Sequence, residues 1–246
     1  MPTPKKPTPP PRALVDDLVA ANRILAMHGI LDAYGHVSVR SPARPGHFLL
    51  SRSLAPELVT AKDIQELGPD SEPIADDRKS YLERFIHGEI YRTRPDVVAI
   101  VHSHSPSIIP FGATRTKLRP ISHMASFLWS GAPVFDIRRV REESDMLIRD
   151  ATLGRALAKS LGQCTCVLMR GHGMTVVGES LPDVVFRAIY TEANARMQMQ
   201  AASLDGPIEF LSDVEARLVT LTNQATLERP WTIWKAHALA KKPGAR

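Results

Sequence analysis

The sequence predicts a layered α/β fold built around one sheet. Apolar stripes of helical period alternate along the chain with short β-branched runs. Turn residues punctuate the boundaries between them, and no internal repeat or long linker divides the body. A single domain over 12–240 is the simpler organisation. Segments 1–11, rich in proline, lysine and threonine, and 241–246 cannot bury an apolar face and are expected to be disordered tails.

The elements follow in order. Leu14, Leu18, Ala21 and Leu25 form the apolar stripe of a helix over 13–28. Two strands, 37–40 and 48–51, flank a turn at 42–46. Thr60 and Asp63 suggest a short segment or a cap. A second helix is expected over 80–92, with Leu82, Phe85, Ile86 and Ile90 on its buried side. The β-branched run 96–101 reads as a buried strand. A further strand at 134–137, a helix over 153–161 and a buried strand at 164–170 come next. Proline in the first turn suits a long helix over 182–202, whose Met197 and Met199 read as packing. A final helix over 213–228 precedes the 231–234 segment.

Composition narrows the function. No apolar run reaches membrane-spanning length, and the N-terminus has no secretory h-region, so a cytoplasmic protein is expected. Cys164 and Cys166 stand two apart, too close for an unstrained disulfide, and read as reduced thiols. The net charge of +5 lies partly in the tails, and no basic stripe interleaved with aromatics exists. That argues against a nucleic-acid surface and is compatible with a small anionic substrate.

The chemistry centres on His102 and His104, which end a strand-like run. Side chains two apart on a strand share a face, so both imidazoles can reach one ion. Read alone, the pair could equally be ordinary surface histidines. His172 follows a second buried strand between Gly171 and Gly173, glycines that permit close approach of a ligand. It would supply a third nitrogen and leave coordination positions open. Glu83 precedes this set on the helix leading into the strand and can be a fourth ligand, a general base, or both in turn. A rival pairing of Glu83 with His87, one helical turn apart, leaves the two strand-anchored motifs unexplained. The run Gly35 to Arg40 offers backbone N–H groups and polar side chains, including His36 and Ser38, to an anion.

These residues resemble the class II aldolase/adducin family. Gly35 to Arg40 is similar to its G-[NH]-x-S-x-R motif. Glu83, His102 and His104 are similar to its glutamate and H-x-H, and His172-Gly173 to its late H-G. The resemblance implies a three-layer α/β/α sandwich with a mixed, mostly antiparallel sheet. It also implies one divalent ion per subunit, zinc or manganese, on Glu83, His102, His104 and His172. A homo-oligomer, tetrameric or larger, with interfacial active sites is implied as well. The serine pair with which the family's aldolases bind phosphate is replaced by Tyr81 and Leu82, and their Gly-Asn by Gly35-His36. The segment Ser51-Arg52-Ser53 replaces a phosphate loop. His123 stands near the position of a neighbouring subunit's tyrosine acid.

This variant looks similar to the family branch that decarboxylates hydroxylated aromatic diacids. The reaction expected is non-oxidative loss of carbon dioxide through a metal-stabilised enolate. Glu83 or His123 would deliver the proton, His36 would orient the substrate, and Arg52 and Arg78 could pair with a second carboxylate. For each arginine a surface ion pair is an equal alternative. Ser38, Ser51, Ser53 and Tyr81 complete the expected substrate shell, while Tyr190 reads better as a core tyrosine. The alternatives are an aldolase for a sugar phosphate or hydroxy-keto acid, and a non-catalytic adducin-like binding module.

Overall fold

The computed structural model describes residues 9–240, so residues 1–8 of the first expected tail and the whole of the second lie outside it. Seven strands form one sheet: β1 His36–Arg40, β2 Phe48–Ser51, β3 Ile64–Leu67, β4 Ala99–Ser103, β5 Val134–Phe135, β6 Cys166–Met169 and β7 Gly173–Gly178. Their order is β3-β2-β1-β4-β7-β6-β5. All neighbours are antiparallel except β5 and β6, so the sheet is mixed and mostly antiparallel as expected.

Alternation along the strands sorts the apolar residues into two cores. Val37, Val39, Val101, Met174 and Val176 pack toward α1 (Arg12–Met27) and α5 (Leu181–Ala201). Leu50, Ile100, Val167 and Val177 pack on the other face, toward α2 (Arg84–Thr93) and α4 (Ala151–Leu161). This is the three-layer α/β/α arrangement. Tyr190 packs on Phe186 in the first core, the core role read from the sequence.

Several boundaries differ from expectation. α2 begins at Arg84, and the segment before it is a turn in which Leu82 is 44% exposed rather than buried. Ser80 lies outside the helix, and its hydroxyl donates to Gln65. Strand β3 and strand β7 were not anticipated, nor was the short helix α3 (Ile109–Ala113). The last helical stretch is two helices, α6 (Asp213–Gln224) and α7 (Glu228–Ala240). Met197 and Met199 lie on the exposed side of α5, not in its packing. Both cysteines are free thiols. No helix among the described residues is long and apolar enough to cross a membrane.

Candidate metal centre

His36 and His102 are cross-strand partners, so both side chains leave the sheet on the α2 face. His104 lies just past the end of β4, and His172 sits in the turn between β6 and β7. Two glycines make that turn possible. Gly171 has φ +65°, and a Cβ on Gly173 would fall 2.0 Å from the carbonyl oxygen of Ser103, so β7 can approach β4 only without a side chain there. Glu83 is the residue that precedes α2 rather than one within it.

The four side chains converge. One ligand atom from each of Glu83, His102, His104 and His172 lies within 4.8 Å of every other. The Glu83 carboxylate is 3.4 Å from Nε2 of both His102 and His172, and Nε2 of His172 is 3.1 Å from Nε2 of His104. Every ligand is oriented from behind. His102 Nδ1 donates to the Met174 carbonyl at 3.1 Å, His104 Nδ1 to the Asp32 carboxylate at 3.1 Å, and His172 Nδ1 to the Met146 carbonyl at 3.0 Å. Each contact fixes the tautomer that leaves Nε2 bare toward the centre. Glu83 is held likewise, one oxygen accepting the Ile148 N–H at 2.9 Å.

The donor set suits a divalent ion of borderline softness, and one atom argues for it directly. His102 Nε2 is fully buried with no hydrogen-bond partner, a costly arrangement unless something else occupies the centre. Burial alone would raise the Glu83 carboxyl, but His102 and His172 beside it hold it well below its ordinary value. Burial lowers His102, whereas at His172 the neighbouring Glu83 outweighs burial and raises it.

The other expected residues divide. Tyr81 is buried, with its ring centroid 4.6 Å from that of His36, and its hydroxyl donates to the Leu54 carbonyl. Ser51 makes a long 3.4 Å contact to the same hydroxyl. The Ser53 N–H donates to the Lys79 carbonyl, tying the 50s loop to the strand of chain before Tyr81. Arg52 pairs with Asp63 at 2.7 Å. Arg78 pairs with Asp76 and donates to the Lys62 carbonyl, which leaves it bracing β3 rather than facing the histidines. His123 is exposed, its carbonyl accepts from Asn223, and it is not part of its own chain's cluster.

His87 is not paired with Glu83. It faces His36 and Ser38, which removes the rival chelate. Asp32 and the 146–148 backbone were not anticipated at all. A signal for Asp32 existed: Asp followed by Gly35 three residues on is turn chemistry, and its carboxylate does accept the N–H groups of Tyr34 and Gly35. Met146, a non-glycine residue at φ +70°, had none.

With this geometry, known proteins become comparable. Residues 16–199 match the family model for the class II aldolase and adducin N-terminal domain. The chain belongs to this family. It is 40% identical to decarboxylase tropJ of Talaromyces stipitatus, covering 89% of this chain and 92% of that protein. It is 28% identical to a 3,4-dihydroxyphthalate decarboxylase of Arthrobacter keyseri, over 91% of this chain and 92% of that one. Among solved structures, an aldolase II superfamily protein from Pseudomonas syringae superposes with a TM-score of 0.77 at 21% identity, covering 94% of each chain, and so supports the fold. The chain is an enzyme of the family's lyase kind.

Proposed function

We propose that this chain is a metal-dependent carbon–carbon lyase that removes carbon dioxide, without oxidation, from a hydroxylated aromatic carboxylic acid. The observation that carries the reading is the set of convergent, bare Nε2 atoms beside Glu83, each with its Nδ1 anchored. A divalent ion held by Glu83, His102, His104 and His172 would supply a Lewis acid for the negative charge that builds beside the breaking bond. Zinc and manganese both suit this donor set.

The chain's own residues do the rest. Tyr81 and His36 present tilted, adjacent rings beside His102, a lining suited to a flat aromatic acid. The Tyr81 side chain, with its hydroxyl committed to Leu54, stands where a phosphate-binding serine would be needed, which argues against a sugar phosphate. Ser51, Ser53 and Arg52 make up the rest of the substrate shell, whereas Ser38 is committed to His87 and Tyr91 and Arg78 to Asp76. The proton that replaces carbon dioxide on the ring comes from His123 of a neighbouring copy in a homo-oligomer, or by way of Glu83, whose ionised carboxylate would first take it from the substrate's hydroxyl or from water. Two relatives named as decarboxylases, one of 3,4-dihydroxyphthalate, support the choice of reaction.

The test is release of carbon dioxide from 3,4-dihydroxyphthalate and related hydroxy acids, with and without chelator. Release that is abolished by chelation and restored by zinc or manganese is expected. Cleavage of a sugar phosphate instead would replace this reading with an aldolase. A purified protein that binds no metal would point to a non-catalytic module.

A further inference from the structure

A second set of buried groups sits on the same sheet face and holds no position in the metal cluster. His36 Nδ1 is 2.7 Å from His87 Nε2, and His87 Nδ1 is 2.6 Å from Ser38 Oγ. Ser38 Oγ is 2.8 Å from the Tyr91 hydroxyl, which lies 3.2 Å from the Val98 carbonyl. All four side chains are buried. They form one unbranched chain from the edge of the metal centre to the backbone just before β4.

The polarity of that chain follows from counting protons. The 2.7 Å contact between the two ring nitrogens needs one of them bare, and among the described residues no carboxylate bonds to either buried ring, so both rings are neutral. Each of the four groups then has one proton to donate. Run inward, His36 Nδ1–H donates to His87, His87 to Ser38, Ser38 to Tyr91, and Tyr91 to Val98, making four bonds. Run outward, Tyr91 donates to Ser38, Ser38 to His87, and His87 to His36, making three. The extra bond favours the inward sense by about 1 kcal/mol, a several-fold population difference. Only the inward sense leaves His36 Nε2 without a proton. His36 flanks His102 with ring centroids 5.1 Å apart, so this bare nitrogen is a fixed acceptor at the rim of the centre.

We propose that His87, Ser38 and Tyr91 are positioning residues that hold His36 as a hydrogen-bond acceptor at Nε2, and that this acceptor selects substrates with a free hydroxyl beside the departing carboxylate. The selectivity rests on the decarboxylase reading; the tautomer does not. A hydroxyl can donate to the bare nitrogen, whereas a methyl ether at that position leaves a buried acceptor unpaired. The discrimination expected is on the order of 10-fold or more.

The experiment is nitrogen-15 NMR of the histidine rings in the zinc-loaded protein. His36 is expected to carry its proton on Nδ1. In Tyr91→Phe each sense makes two bonds, so the preference is lost and the His36 proton is expected to spread from Nδ1 onto Nε2. Ser38→Ala also leaves two bonds in either sense and should do the same. A shift caused two or three links away is not what loss of packing produces. Protonation at Nε2 in the unmutated protein, or an unchanged, fully Nδ1-protonated His36 in both variants, overturns the positioning chain. With 2-hydroxybenzoate and 2-methoxybenzoate as probes, the hydroxy acid should bind about 10-fold tighter and move the His36 Nε2 resonance. Equal affinities, or no effect on that resonance, overturn the selectivity. Absence of carbon dioxide release from every aromatic acid would count against the function and leave the tautomers as measured.

Discussion

Two groups of histidines share one face of the sheet, and they differ in which nitrogen is left over. In His102, His104 and His172 each Nδ1 is tied to a backbone or carboxylate oxygen, and the three Nε2 atoms point inward together toward the Glu83 carboxylate. In the other group His87 uses both nitrogens within the protein, one on His36 and one on Ser38. Residue type is the same, although His104 and His172 are only partly buried while His36, His87 and His102 are buried. The contacts behind each ring decide whether a histidine faces a ligand or closes a network.

The difference predicts its own largest consequence. His102→Ala removes the buried Nε2 that has no other partner. It should abolish stoichiometric zinc binding and cost on the order of 10³-fold or more in kcat/KM, because the charge stabilisation lost is several kcal/mol. Elemental analysis and steady-state rates check this together, and full activity in a metal-free variant would break the comparison at its root. Asp32→Asn acts one step further out. The amide can still accept the His104 N–H, but it no longer carries the charge that strengthens the contact. Zinc affinity should fall by roughly 10-fold to 100-fold, read by competition with a chromophoric chelator. Unchanged affinity would mean that His104 is held by its backbone alone.

How much of this was visible in the sequence depends on whether a residue acts through its side-chain type or through its neighbours. His102 and His104 were legible because strand alternation places them on one face, and His172 because glycines on both sides marked a constrained turn. Glu83 was legible as a partner but not as the residue before α2, since the apolar period of Leu82 to Ile90 runs on through the turn. Strand β7 was hidden because it opens on Gly173, whose flanking residues read as a loop. The break between α6 and α7 was missed because no glycine lies in Ala225 to Leu227, although Pro230 in the first turn of α7 is a helix-start signal. The Met146 carbonyl and the Ile148 N–H, which orient His172 and Glu83, belong to backbone that any residue could supply. No pattern of side chains reports on them.

The second group should also be felt in stability. Folded His87 is lowered from 6.5 to about 3, so between those values the unfolded chain binds a proton that the folded chain refuses. The unfolded state then binds more protons, and stability falls as pH falls through that window. The slope from this one group is about 1.4 kcal/mol per pH unit, and His36 adds to it in the same direction. Urea unfolding of the chelated protein at pH 6 and pH 5 measures the slope. Phe48 lies stacked against the His87 ring, so His87→Phe is a packing-tolerant variant in which the slope should drop by about that amount. An unchanged slope would mean that His87 is protonated in the fold, and the inward chain could not then exist.

The smallest effect is expected at Arg78, and it sharpens where the substrate shell ends. Its guanidinium pairs with Asp76 and holds that carboxyl far below its ordinary range, while further contacts reach the carbonyls of Lys62 and Ile64. The side chain is 42% exposed, so solvent screens the pair and little stability rests on it. Arg78→Ala should change unfolding free energy by less than about 1 kcal/mol and weaken apparent substrate binding by no more than a few-fold. Arg52, half-buried and bonded through Nε to Asp63, is the better placed of the two to meet a second carboxylate. If steady-state kinetics of Arg78→Ala instead show a roughly 100-fold weaker apparent substrate affinity, with kcat little changed, then Arg78 leaves Asp76 for the substrate. The substrate shell would then extend from the β1 edge to the turn before Tyr81, well beyond the ring-lined surface that His36 and Tyr81 provide.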